Sequence, residues 1–122
     1  MTWLVEHTNE FELWFGSLSS SEQEEVYSSG LLLEQRGPNL RHPMLSGIKG
    51  SRHSHMRKLR VQSGEKPLRI FYAFDPRRAA ILLIGGDKTG HDRFYVNLVP
   101  VADDLYDMHL QKLEQEKRHG KP

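Results

Sequence analysis

Three short strand-like segments follow one another in the second half of the chain and constrain its fold more than any other feature. Within residues 56–61, basic and apolar side chains alternate from Lys58 to Val61. Residues 68–74 carry a large apolar or aromatic residue at every second position, and residues 79–84 are apolar throughout. A period of two is typical of a β-strand, and a run that is apolar on both faces is typical of a central strand. The connections, 62–66 and 75–78, are short polar turns, so we predict an antiparallel meander.

Two helices are predicted upstream of the meander. The first carries an apolar stripe at the spacing i, i+3, i+4 and i+7, which is typical of a helix that packs against a core. The stripe consists of Phe11, Trp14, Phe15 and Leu18. The second helix is predicted to begin near Ser21, which has Glu24 at capping-box spacing, and to end at about Arg36, before Gly37 and Pro38.

The remaining segments complete the outline of the fold. Residues 3–5 suggest a short first strand, 39–54 and 85–93 suggest polar surface loops, and an amphipathic pattern from Ala102 onwards predicts a last helix. The predicted order is β-α-α-β-β-β-α, an α+β fold with a small antiparallel sheet, two N-terminal helices and a C-terminal helix. We expect the helices to cover one face of the sheet and to leave part of the basic face open.

Length and composition suit a single small domain. We assign residues 1–117 to this domain and residues 118–122 to a disordered basic tail. The 122-residue chain has no cysteine, which excludes disulfides and thiolate metal sites and favours a reducing cytoplasm. Its first residues include an acid and no long apolar run, so a signal peptide is not expected.

Nearly all of the positive charge lies in the middle of the chain. Residues 41–78 contain ten Lys/Arg and two acids, a local charge of +8, whereas the residues before them sum to −6 and those after them to −1. A field concentrated on strands and turns is typical of a surface that binds phosphates. A polyanion is therefore the first hypothesis for the partner, and a protein with an acidic arm is the second.

Part of this charge is predicted to converge on one face of the sheet. Alternation places Lys58 and Arg60 on the same face of their strand, and antiparallel pairing allows Arg69 to join them. Such a surface could hold RNA or cleave it. Cleavage without a metal requires removal of the ribose 2′-hydroxyl proton, stabilisation of the phosphorane charge and protonation of the leaving 5′-oxygen. Arginine and lysine serve the second need, and histidine, tyrosine or lysine can transfer the protons.

Three sequence strings in this order carry a family resemblance. They are KGSRHSHMRKLRV, LRIFYAFDPRRAAILLIGGDKTG and FYVNLVPVADDLYDMHLQKL, with LLLEQRGP upstream. They resemble the HigB-like, or phage Gp49-like, branch of the RelE/ParE superfamily of toxins from type II toxin–antitoxin modules. The resemblance covers most of the chain and implies a RelE-like α+β fold.

The resemblance also implies an activity and a partner. Most HigB and RelE relatives cut mRNA in the ribosomal A site, and a small antitoxin encoded beside the toxin, commonly with a helix-turn-helix domain, silences them. ParE relatives share the fold but poison DNA gyrase, so fold alone does not fix the target. A ribosome-dependent mRNA endoribonuclease without a cofactor is the first hypothesis. A gyrase-directed toxin, or an inactive member that only binds its antitoxin, is the alternative.

The resemblance assigns roles to particular positions. It implies that cations on the first two strands of the meander hold the scissile phosphate, that a basic residue and a tyrosine after the last strand complete the set, and that a histidine could transfer protons. The catalytic candidates are Lys58, Arg60, Arg69, Lys88, Tyr95 and His55. Further RNA-binding candidates are Arg52, His53, Arg57, Arg77 and Arg93.

Lys58 departs from the usual sequence of the branch. Relatives commonly read M-K-E-L-R where this chain has M-R-K-L-R, which places an acid at the position of Lys58. Either Lys58 restores a RelE-like cation or the position is not catalytic in this branch.

Simpler interpretations compete with several of these assignments. His42, His53 and His55 suggest a metal site. His53 and His55 would place two imidazoles on one face of a strand, but no third ligand is suitably spaced, and the chemistry needs no metal. Arg77 and Arg78 lie at the tip of a turn, where solvation, or next an antitoxin contact, would explain them. Tyr95 could be a core aromatic.

Two further residue types in the turns have structural explanations. Asp75 is predicted to cap its own turn through an Asx hydrogen bond. Gly85 and Gly86 are better explained by a turn than by a phosphate-binding loop, because no P-loop pattern follows them.

Overall fold

The computed structural model describes residues 2–40, 45–90 and 92–119. The elements in chain order are β1 (Val5–His7), α1 (Asn9–Gly16), α2 (Ser20–Arg36), a 3-10 turn (Gly37–Asn39), β2 (Leu45–Gly47), β3 (Arg57–Ser63), β4 (Lys66–Phe74), β5 (Ala80–Asp87) and α3 (Phe94–His119). The predicted α+β class and the order of the main elements are confirmed.

The five strands form one sheet in the order β1-β5-β4-β3-β2. The central meander β3-β4-β5 is antiparallel, as predicted. Two edge strands differ from the prediction. β1 pairs parallel to β5 and begins at Val5, so the sheet is mixed, and β2 adds an antiparallel edge within the predicted loop 39–54. β2 has three residues, which is too short for a periodic pattern to show in the sequence. Only its pairing with β3 defines it as a strand.

Helices cover both faces of the sheet. One face carries a core of Leu59, Ile70 and Tyr72 that packs against α1 and α2. The opposite face carries Phe71 and Leu83, which pack against α3. The expectation that helices would cover one face was therefore wrong, because the apolar stripe of α3 lies across the second face and encloses part of the basic surface.

Gly85 and Gly86 lie inside β5 instead of in the predicted turn. A Cβ at Gly85 would clash with the ring of Trp14, and a Cβ at Gly86 would lie 2.8 Å from side-chain atoms of Phe94 and Leu98. The two glycines therefore let α1 and α3 approach the sheet closely, each on its own face. This packing explains why β5 continues to Asp87, beyond the predicted end of the strand.

The helix ends also differ from the prediction. Ser19 caps α2 through a complete capping box with Glu22, two residues before the predicted pair. α3 begins at Phe94 instead of Ala102, and Pro100 lies within the helix. Phe94 and Val99 are buried against the sheet, so packing stabilises the first turns of α3 although Pro100 has no backbone N–H to donate.

The C-terminal end of α3 includes the first two residues of the predicted tail 118–122. Residues 120–122 lie outside the described residues. Within the part of the chain that the structure describes, no helix has an apolar stretch long enough to cross a bilayer.

Candidate active site

The register of β3 and β4 brings three predicted cations onto one face. Arg60 lies directly opposite Arg69, and Lys58 lies opposite Phe71. Residues that face each other across an antiparallel pair point to the same side of the sheet, so these three cations share the face that α3 partly covers. The predicted convergence of Lys58, Arg60 and Arg69 is confirmed. Like charges directly opposite each other are unfavourable, which makes the arrangement costly for a purely structural role.

Tyr95, in the first turn of α3, joins this cluster. The Lys58 ammonium donates a hydrogen bond of 3.1 Å to the Tyr95 hydroxyl and lies 4.3 Å from the ring centroid. The Lys88 ammonium lies 5.2 Å from the same centroid. The Tyr95 ring also packs edge-on against Phe71, with centroids 6.1 Å apart. Tyr95 is therefore both a partly buried packing residue and the contact point of two lysines.

The cluster changes the acidity of Tyr95. Burial alone would raise the pKa of the Tyr95 hydroxyl, but hydrogen bonding from Lys58 and Arg69 and the charges of Lys58 and Lys88 outweigh it and lower the pKa below the usual value of 10.0. The cations favour the phenolate because they neutralise its charge. A tyrosine in such surroundings is a better proton acceptor near neutral pH than a free tyrosine.

Two arginine nitrogens of the cluster have unused hydrogen-bonding capacity. The Nε atoms of Arg60 and Arg69 are buried and have no hydrogen-bond partner among the described residues. One terminal nitrogen of Arg69 donates to the Leu68 carbonyl at 2.9 Å. None of Lys58, Arg60, Arg69 and Lys88 forms an ion pair with a described carboxylate. A buried, unpartnered guanidinium donor is energetically costly, and an incoming anion with several acceptor oxygens would satisfy it. We call these four cations and Tyr95 the tyrosine–cation cluster.

Arg52 and His53 lie elsewhere, against the acids of α3. Arg52 forms ion pairs with Asp104, at 3.1 Å, and with Asp107. His53 lies 2.7 Å from the other oxygen of Asp107. The buried carboxylate of Asp103 accepts hydrogen bonds from the Arg52 backbone N–H at 2.9 Å and from the hydroxyl of the preceding residue. These contacts attach the loop before β3 to α3 and neutralise much of the charge of Arg52.

Arg77 is also held by carboxylates. It lies 2.6 Å from Glu6 and 2.7 Å from the fully buried side chain of Asp75, which a third group, His109, contacts at 2.9 Å. The predicted Asx capping by Asp75 is confirmed, since its carboxylate accepts from the backbone N–H groups of Arg77 and Ala79. Burial would raise the pKa of Asp75, but its hydrogen bonds, chiefly those from Arg77 and His109, lower it.

The remaining candidates do not join the tyrosine–cation cluster. His55 is exposed in the turn before β3, and it forms no hydrogen bond or ion pair with another described residue. Arg57 lies over the ring of Phe74, at 5.6 Å from its centroid, and Arg93 is exposed just before α3.

The histidines suggested as metal ligands are divided by the fold. His53 is held by Asp107, and His55 points into a separate exposed turn, while His42 lies outside the described residues. Across residues 2–40, 45–90 and 92–119, no group of three histidine or acidic side chains could hold a metal ion.

Sequence reasoning missed the acids that neutralise Arg52 and His53. A helix that began at Ala102 would place Asp103 and Asp104 near its N-terminus, but the earlier start of α3 places them in its third turn. The spacing i, i+4 of Asp103 and Asp107 could have signalled one acidic helix face, although only the tertiary structure brings the loop before β3 to that face.

The fold is that of RelE toxins. The structure is similar to a chain of the archaeal RelE–RelB complex from Pyrococcus horikoshii, with a TM-score of 0.55 and 16% identity over 74% of this chain and 99% of that chain. It is also similar to a free arginine-to-alanine double mutant of the Escherichia coli toxin RelE, with a TM-score of 0.57 and 12% identity over 77% of this chain and 92% of that one.

Sequence comparison identifies the family within this fold. Residues 13–107 match the family described as phage derived protein Gp49-like (DUF891), and the chain belongs to that family. Two relatives from Mycobacterium tuberculosis are named as toxins. The chain is 37% identical to HigB2 over 85% of its own length and 53% of that protein, and 41% identical to HigB3 over 75% of its length and 80% of that protein. The chain thus spans about half the length of HigB2.

Proposed function

We propose that this protein is the toxin of a type II toxin–antitoxin module and that it cleaves mRNA on the ribosome without a metal cofactor. The single observation that carries the proposal is the tyrosine–cation cluster. In it Lys58, Lys88 and Arg69 interact with a tyrosine of lowered pKa, Arg60 lies opposite Arg69, and none of the four cations has a described carboxylate partner. The family membership and the names of HigB2 and HigB3 support the role of toxin.

The cluster matches the electrostatic needs of RNA cleavage. When the ribose 2′-oxygen attacks the adjacent phosphorus, the equatorial oxygens of the phosphorane gain negative charge. The unpartnered Nε donors of Arg60 and Arg69 would bind these oxygens, because fixed donors are most effective where charge develops in a partly dry site. Cleavage then yields a 2′,3′-cyclic phosphate and a 5′-hydroxyl.

Proton transfer is assigned to Tyr95 and the lysines. The Tyr95 phenolate would accept the proton of the 2′-hydroxyl, and the Lys58 ammonium, 3.1 Å away, would stabilise that phenolate before the reaction. An ammonium of the same cluster, on Lys58 or Lys88, would protonate the leaving 5′-oxygen. His55, exposed at the entry to β3, is the alternative proton carrier.

The same charge distribution calls for an inhibitor. A small antitoxin, encoded by an adjacent gene and carrying a helix-turn-helix domain, would cover the cluster in the cytoplasm, where the ribosomes are. Acidic side chains on the antitoxin would occupy the unpartnered guanidinium donors and would exclude RNA from them.

Expression in the absence of the antitoxin tests the proposal. We expect growth to stop within minutes and mapped 5′ ends of cellular mRNA to show new cuts inside translated codons. The control is Arg69→Ala, which removes one phosphate-binding group and should abolish the cuts. Intact transcripts in arrested cells would contradict the proposal, and if plasmid supercoiling were lost at the same time, they would indicate a gyrase-directed toxin. Normal growth and intact mRNA in both the unmodified and the Arg69→Ala strains would indicate an inactive member that only binds its antitoxin.

A further inference from the structure

A second group of arginines without carboxylate partners lies apart from the tyrosine–cation cluster. The Arg57 guanidinium lies 5.6 Å from the centroid of Phe74, and that of Arg78 lies 5.6 Å from the centroid of Trp3. The two aromatic rings contact each other edge to face, with centroids 6.1 Å apart. The four side chains therefore form a continuous row in which two guanidinium groups flank two aromatic rings. We call this row the arginine–aromatic surface.

The charge of this surface is not neutralised within the described residues. Neither Arg57 nor Arg78 forms an ion pair with a described carboxylate, whereas Arg77, next to Arg78 in the chain, is bound by both Glu6 and Asp75. Neighbouring arginines on one turn thus have opposite environments. Arg77 stabilises the turn, and Arg78 extends from it, exposed to solvent, with its positive charge available.

The backbone of Arg78 supports a role for its side chain. Its φ angle is 68°, the one positive value at a non-glycine position in the described ranges. Such a conformation is strained for a residue with a Cβ, whereas glycine would adopt it without strain. The contact with Trp3 offsets part of this strain.

Trp3 is held in a defined position beside these arginines. A Cβ at Gly37 would lie 2.5 Å from atoms of the indole ring, so the ring packs directly against the glycine backbone. The Trp3 backbone N–H also donates to the Glu34 carbonyl at 2.7 Å. A fixed, partly exposed indole needs little reorganisation before a planar ligand can stack on it.

The arginine–aromatic surface and the tyrosine–cation cluster lie on opposite faces of the sheet. Arg57 and Lys58 are consecutive residues of β3, and consecutive strand residues point to opposite faces. Arg57 lies opposite Tyr72, which belongs to the core beneath α1 and α2, whereas Lys58 lies opposite Phe71, beneath α3. One phosphate therefore cannot contact both groups.

We propose that the arginine–aromatic surface is a second RNA-binding site, which takes an unpaired nucleotide segment separate from the strand that is cut. Arg57 and Arg78 would bind backbone phosphates, and a base would stack on Trp3. Arginine next to an exposed aromatic ring is the combination that binds single-stranded RNA without strong sequence preference. The inference builds on the proposed function, since an RNA-rich target would offer segments to both faces of the toxin at once.

The test measures binding of a fluorescent single-stranded RNA of about 12 nucleotides in a background that carries Arg69→Ala, so that the RNA stays intact. We expect Arg57→Gln combined with Arg78→Gln to weaken binding about tenfold at low salt. Because two phosphate contacts would be lost, the slope of log K against log salt should become shallower by about 1.4. The matched control, Lys117→Gln with Arg118→Gln, removes the same charge from the far end of α3 and should change neither quantity.

A second measurement protects the test against loss of folding. In a Trp14→Phe protein, Trp3 is the remaining tryptophan, and its fluorescence should be quenched as the RNA is added. Unchanged affinity and salt slope in the double variant, or an unquenched Trp3, would overturn the inference. Affinity for RNA that is retained while a purified antitoxin no longer binds would overturn it as well and would assign the surface to a protein.

The proposed cleavage can fail separately from this second site. With Arg69 intact, cutting of translated mRNA reports on the tyrosine–cation cluster, whereas RNA affinity in the Arg69→Ala background reports on the arginine–aromatic surface. A protein that binds RNA through Arg57 and Arg78 but never cuts mRNA would support the second RNA-binding site and would contradict the proposed cleavage.

Discussion

Two pairs of arginines in the same basic segment have opposite surroundings. Arg52 and Arg77 are each bound by two or more carboxylates, while Arg60 and Arg69 face each other across two strands and have buried Nε atoms without a hydrogen-bond partner among the described residues. The first pair stabilises the fold, because it connects the loop before β3 and the turn before β5 to neighbouring elements. The second pair is costly to the fold and is retained where an anion would bind. Partners, more than charge, therefore distinguish the structural arginines of this protein from those that we propose to bind the scissile phosphate.

The largest expected effect is the loss of cleavage in Arg69→Met. Removing one preorganised donor to the developing phosphorane should reduce the cleavage rate about 10²–10³-fold, equivalent to about 2.7–4 kcal/mol in the barrier. The free energy of unfolding should stay the same or rise, because a partly buried cation with a buried, unpartnered Nε donor is removed. Primer extension on translated mRNA and denaturant unfolding measure the two effects. A variant that unfolds more easily but cuts at the normal rate would reverse the comparison between the two pairs.

The matching change in the structural pair is Asp75→Ala. This substitution leaves His109 and one side of Arg77 without their buried acceptor, and we expect a loss of about 3 kcal/mol in the free energy of unfolding. Arg77 is half exposed, which keeps the loss at the low end of the range for a broken buried pair. Urea unfolding followed by circular dichroism measures it, with Asp104→Ala as the exposed control. The cleavage rate per folded molecule should not change, and a large drop in that rate would place Asp75 in the active site instead.

Tyr95→Phe separates the proton acceptor from the ring that packs in the core. The ring contacts with Phe71 and Phe94 remain, so the stability should change little, while cleavage should fall about 100-fold if the hydroxyl accepts the 2′ proton. In the unmodified protein, ultraviolet titration should show that Tyr95 ionises below pH 10.0, and Lys58→Met should move that ionisation to higher pH. If the Tyr95→Phe protein cleaved mRNA at the same rate as the unmodified protein, proton transfer would be assigned to His55 instead.

Acid should weaken the structural pair through Asp75. Its pKa is lower in the folded state than the ordinary value of 3.8, so its contribution is fully present above about pH 4 and is lost as the pH falls through the folded pKa. Between pH 5 and pH 2, the free energy of unfolding should therefore decrease as the pH is lowered. For one group the slope is about 1.4 kcal/mol per pH unit at most. Asp75→Asn should flatten this dependence, and an equally steep curve in the variant would assign the acid sensitivity to other carboxylates.

The strand pattern made much of the site predictable. Because side chains alternate along a strand and antiparallel partners share a face, the convergence of Lys58, Arg60 and Arg69 follows from the sequence once the meander is recognised. Tyr95 was a candidate from the family resemblance, but its contact with Lys58 depends on where α3 begins. The start of α3 was misplaced by eight residues, because burial of Phe94 outweighs the signal of Pro100.

The amino-acid sequence by itself determined the meander, the two N-terminal helices and the face on which the central cations lie, since hydrophobic periodicity is a local property of the chain. Only the tertiary structure decided which cations are neutralised. The carboxylates that bind Arg52 lie more than 50 residues away in the chain, and the Glu6 partner of Arg77 lies 71 residues away. Such pairings arise when the helices and β1 pack on the sheet, and no local pattern encodes them. Those contacts leave the tyrosine–cation cluster and the arginine–aromatic surface with charge that no described carboxylate offsets.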